Sequence, residues 1–137
     1  MAIDPRLEAG RVVYYPTEFG PHHIILAGIT PVHFRYLVIK TQPSPWQKTK
    51  PEQLKHFVKI DQKNHTFLKY DSVIFCGQLH AERIYNISQH VREKSGDVKD
   101  KISENVRARI LGIVRDKTLK LLSEEERAAI TKYLGAV

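Results

Sequence analysis

Before residue 90 the chain never sustains an apolar pattern for long. Each run is short, and each is closed by proline, glycine or a cluster of turn formers. "RVVYYP" ends at Pro16, "HHIILAGI" follows the Gly20-Pro21 turn, and "FRYLVIKT" and "DSVIFCGQL" complete the apolar set. Runs of this kind, dense in β-branched and aromatic residues, are strands. "HFVKID" alternates like a half-exposed strand, "DQKNHT" is a turn cluster, and "ERIYNIS" reads as a last short strand. The expectation is therefore five to six strands before residue 90. Strands of about six residues joined by short turns build a small antiparallel sheet or barrel. Between them, "QPSPWQKTKPEQ" carries three prolines and is expected to be irregular.

The pattern changes after His90. "REKSGDVKDK" is charged and holds a glycine, which reads as a linker over about 91–101. Beyond it Ile102, Val106 and Ile110 recur at helical spacing, with Ser103 as a cap. "SEEE" from Ser123 has the form of a capping box opening a second helix, and Gly135 is a natural stop. The expected organisation is one α+β domain over 1–137, with a barrel at about 9–90 and a helical tail at about 102–135.

With 137 residues, 42% of them hydrophobic and 27% charged, the chain can bury a core without staples. Its single cysteine, Cys76, forbids an internal disulfide and lies in an apolar run, as a buried side chain would. No stretch reaches the ~20 apolar residues of a membrane helix, and the first residues lack a signal pattern, so a cytoplasmic protein without membrane contact is expected. The net charge of +7 points to a polyanionic partner, most simply nucleic acid. Arg107, Arg109, Arg115, Lys117 and Lys120 of the tail read as a solvated helix face.

Two adjacent histidines, His22 and His23, stand at the mouth of the second strand. They are surface groups, metal ligands or acid–base groups. Neighbouring residues of a strand point to opposite faces, so only one of the pair is expected to face a site, and register favours His22. Neighbours on a strand seldom bind one ion together, and no Cys or carboxylate cluster supports a metal, so neither metal nor cofactor is expected. The proline-rich loop is the richest binding candidate. Lys40, Lys48, Lys50 and Lys55 can meet phosphates, and Trp46 offers a flat face to an unpaired base, if it does not plug the core edge. Gln78 and His80 follow the central strand and can line the same groove, and Arg83 can contact phosphate or pair at the surface.

Several weak matches occur in one order. "AGRVVYYPTEFGP" opens the chain, "YLVIKTQP" ends in Thr41 and Gln42, and Asp71-Ser72-Val73-Ile74 leads to Gln78. This order resembles the MazF/PemK toxin family over about residues 9–90, and the tail resembles it loosely. The resemblance implies an SH3-like barrel, homodimerisation, an antitoxin protein as partner, and cleavage of single-stranded RNA without a metal. In that reaction the 2′-hydroxyl attacks the adjacent phosphorus, leaving a 2′,3′-cyclic phosphate and a 5′-hydroxyl. The family's catalytic threonine corresponds to Thr41. Its catalytic arginine corresponds to His22, with His23 beside it. That departure offers an acid–base group in place of a fixed charge, or marks lost activity in a binding module on the same scaffold.

Overall fold

The computed structural model describes residues 3–135. Five of its strands precede residue 90: β1 (Arg11–Thr17), β2 (Gly20–Ile29), β3 (His33–Lys40), β4 (Phe57–Ile60) and β5 (Ser72–Arg83). The sixth, β6 (Val98–Lys101), lies in the expected linker and pairs antiparallel with β1. The sheet runs β4-β5-β3-β2-β1-β6, antiparallel throughout, and curls as a half-barrel with β4 and β6 at its edges.

Both faces of this sheet are covered, which explains why β2 and β3 carry continuous apolar runs rather than clean alternation. On one face Val12, Ile25, Leu37, Ile39 and Ile74 pack under α4 (Glu104–Arg115) and α5 (Glu124–Gly135). On the other, Val13, Tyr15, Ile24, Leu26, Tyr36 and Val38 pack under α3 (Ile84–Glu93). That helix replaces the strand expected in "ERIYNIS". Ile84, Ile87 and Val91 fall on one stripe of a helix, and burying that stripe on the sheet outweighs the β propensity of the segment.

The proline-rich loop is also more regular than expected. It holds two single-turn helices, α1 (Pro45–Lys48) and α2 (Pro51–Leu54), each with proline at its start. There the missing N–H costs nothing and the fixed φ suits the turn. Both expected caps of the tail are formed. Ser103 Oγ accepts the Val106 N–H at 3.3 Å. Ser123 and Glu126 exchange the two bonds of a capping box at 2.9 and 3.1 Å.

One irregularity of the sheet shapes its surface. Tyr36 pairs with His80 but Val38 pairs with Phe75, so residues 76–79 of β5 bulge against the single residue Leu37. Gly77 sits in this bulge, where a Cβ would lie 2.6 Å from the Phe75 ring and 2.9 Å from Leu121. Only glycine fits there without displacing a neighbour.

Candidate functional site

β1 and β2 form a tight hairpin across Glu18-Phe19, with Gly20 at φ 102° closing the turn. Its register sets Tyr14 opposite His23 and Tyr15 opposite His22. Strand alternation then separates the two histidines. His23 shares the parity of Ile25 and turns to the α4–α5 face, while His22 shares that of Ile24 and turns to the α3 face. Register was expected to favour His22, yet it is His23 that shares a sheet face with Ile39, two residues before Thr41.

A cleft of about 690 Å³ opens where β2 begins and β3 ends. His22, His23, Lys40, Thr41 and Gln42 all line it. Thr41 and Gln42 are exposed and both histidines are half-buried, so none of the five is sealed inside. Tyr14, Phe67, Lys69, Tyr70 and Lys99 complete the walls. The His23 ring lies 4.9 Å from Tyr14 and 5.4 Å from Phe67, centroid to centroid. Burial between these rings holds the His23 pKa below the ordinary imidazole value, and the nearby Lys99 ammonium lowers it further. His23 is therefore neutral at neutral pH, with one ring nitrogen free to accept a proton. Among the described residues no carboxylate lines this cleft, whereas Lys40, Lys69 and Lys99 do.

The rest of the expected RNA-binding set divides. Lys48 reaches the rim, where its Nζ donates to Gln42 Oε1 at 2.7 Å. Trp46 is 60% exposed, so it does not plug the core, and Lys50 Nζ sits 5.8 Å from its ring centroid. Gln78 and His80 line a second, smaller cavity, on the α3 face, which shares His22 and Lys40 with the first cleft. Arg83 joins neither group. It pairs with His33 at the far end of β3 from Lys40, about 23 Å away at ~3.3 Å per residue.

No protein-family model matches the chain, and no curated protein does. The chemistry of the cleft rests on its own residues.

Among the described residues no group of three or more His, Cys, Asp and Glu side chains is placed to hold a metal ion. No helix among them is long and apolar enough to cross a membrane. Cys76 is fully buried, and burial pushes its thiol up to about 12, which removes it as a nucleophile.

Sequence reasoning missed Tyr14, Phe67, Lys69, Tyr70 and Lys99. Tyr14 was recoverable, because a two-residue hairpin loop at Glu18-Phe19 fixes its pairing with His23. Lys99 was not, because its position depends on β6 pairing with a strand at the opposite end of the sequence.

Proposed function

We propose that the chain is an endoribonuclease of the MazF/PemK kind, cutting single-stranded RNA in the cleft between the β2 start and the β3 end. One observation carries this reading: two histidines, a threonine and three lysines share one open cleft with exposed aromatic rings and no carboxylate among its described residues. An anion is attracted there, and the groups needed to cut a phosphodiester are within it.

His23, held neutral, takes the proton of the attacking 2′-hydroxyl. The 2′-oxygen bonds to phosphorus and the bond to the 5′-oxygen breaks. His22, at the rim beside Lys40, gives a proton to that leaving oxygen. The Thr41 hydroxyl donates to a non-bridging oxygen, and the Lys40 ammonium offsets the charge gathered on the phosphorane. The chain ends as a 2′,3′-cyclic phosphate and a 5′-hydroxyl. This scheme asks of imidazole what the family resemblance assigns to arginine. In this reading the curled sheet is an opened SH3-like barrel, the active form is a homodimer, and an antitoxin covers the cleft.

The test is incubation of the purified protein with single-stranded RNA in EDTA, with the ends of the products identified. Cyclic-phosphate ends are expected, with His23→Ala reducing the rate by about 10²–10⁴ and Thr41→Ala also reducing it. RNA that is bound but left intact by the wild-type protein refutes the enzyme and leaves a binding module.

A further inference from the structure

The second cavity, about 360 Å³, is built differently from the first. It sits on the α3 face beside the β5 bulge, and the extra residues of that bulge carry Gln78 outward into solvent. His80 lies parallel to Tyr36, 18° between planes and 5.2 Å between centroids, so its ring is fixed. Phe19, 68% exposed on the hairpin tip, meets His80 edge-on at 6.2 Å. Thr17 holds that tip, donating to Gly20 O at 2.6 Å and accepting the Phe19 N–H at 3.2 Å.

The donor set does not suit a phosphate. Lys40 is the cation at this cavity, and Glu18 and Glu82 lie close enough to act on the His80 and Tyr36 ionisations. What the cavity offers instead is paired donors and acceptors beside exposed aromatic surface. The Gln78 amide has both kinds of atom and makes no side-chain hydrogen bond among the described residues. The neutral imidazole of His80 also presents one of each. Such pairs match the edge of a heterocyclic base, and rings stack on its face.

We propose that this cavity is a nucleobase subsite. An unpaired base stacks against Phe19 with its edge toward Gln78 and His80, and the strand passes over His22 and Lys40 into the first cleft. Those two residues line both cavities, so they mark where the backbone crosses. The proposal rests on reading the chain as a binder of single-stranded RNA, and it assigns the base preference of that binding to β5 and the hairpin tip.

The experiment titrates the four nucleoside 5′-monophosphates into the full chain by calorimetry, with histidine ring protons followed by NMR. Saturable binding with a preference among the bases is expected. Phe19→Ala should weaken it roughly tenfold or more, the scale of one lost base stack. Gln78→Ala should flatten the preference. Both side chains are exposed, so both variants should keep the fold, to be verified by circular dichroism. Tyr85→Ala, on the exposed side of α3, should change nothing. Base-selective binding without RNA cleavage refutes the nuclease and sustains the subsite. Cleavage whose base preference is unmoved by Phe19→Ala and Gln78→Ala overturns the subsite and sustains the nuclease. Equal binding of all four nucleotides also overturns it.

Discussion

In the proposed reaction His23 must stay neutral to accept a proton, and burial beside Lys99 favours the neutral form. The acid limb of the pH–rate profile should therefore lie below the ordinary imidazole value. Lys99→Met removes a cation that lowers the His23 pKa, so that limb should move to higher pH, while kcat on the plateau falls less than in His23→Ala. A limb that stays in place in Lys99→Met removes His23 as the base. The same depression has a stability consequence. His23 and His80 both have folded pKa values below the unfolded value of ~6.5, so in the window just beneath it the unfolded chain binds more protons. Stability should fall as pH drops through ~6.5 and level off below the folded values. Urea midpoints at pH 7.5 and 5 should show the drop, and a His23→Asn, His80→Asn double variant should reduce it. At this scale the grouping of His22, His23 and Thr41 was legible, since all three line one cleft. The face to which each histidine turns was not, because it depends on the Thr17–Gly20 pairing and hence on turn geometry.

Elements are legible where local pattern and tertiary packing agree. β1, β2, β3 and the two tail helices have strong runs or caps of their own. α3 is not, because Ile84 and Ile87 satisfy β composition as well as a helical stripe, and only the sheet face that the helix covers decides between them. His65 is hidden in a different way, since it sits in a turn cluster whose composition says nothing of a buried ring. Its Nδ1 donates to Asp61 O at 2.9 Å and its Nε2 accepts the Ser103 N–H at 3.1 Å, tying the β4–β5 loop to the start of α4. His65→Ala removes both bonds from a buried ring and should cost about 1–3 kcal/mol, measured by denaturant unfolding. Gly77→Ala belongs beside it. Its Cβ has no room between Phe75 and Leu121, and Phe75 is itself packed against Phe57 at 4.9 Å. Overpacking there should cost about 1–3 kcal/mol, and a neutral result would show that the bulge yields easily.

Across the whole molecule, part of the positive charge behind the net +7 is bonded into the fold. Arginines of the tail serve the fold. Arg127, buried on α5, donates to Val114 O at 2.6 Å and Asp116 O at 2.9 Å, covering carbonyls at the end of α4. In return Arg107 of α4 donates to Leu134 O at 2.8 Å in the last turn of α5, and Arg109 donates to Lys59 O at 3.2 Å on the β4 edge. The helix pair is thus clasped at both ends by Arg127 and Arg107. Three lysines line the cleft: Lys40, Lys69 from the β4–β5 loop and Lys99 from β6, a strand that closes the sheet edge from the far end of the sequence. Salt dependence of RNA binding tests whether these lysines meet the phosphates. Each phosphate contact to a single strand contributes a slope of about −0.7 in log K against log salt. A Lys69→Ala, Lys99→Ala double variant should therefore flatten the slope by about 1.4, while Lys117→Ala in the loop between α4 and α5 should leave it unchanged. If the slope follows Lys117 instead, the polyanion lies along the helical tail, and the cleft has no claim to the backbone it is proposed to cut.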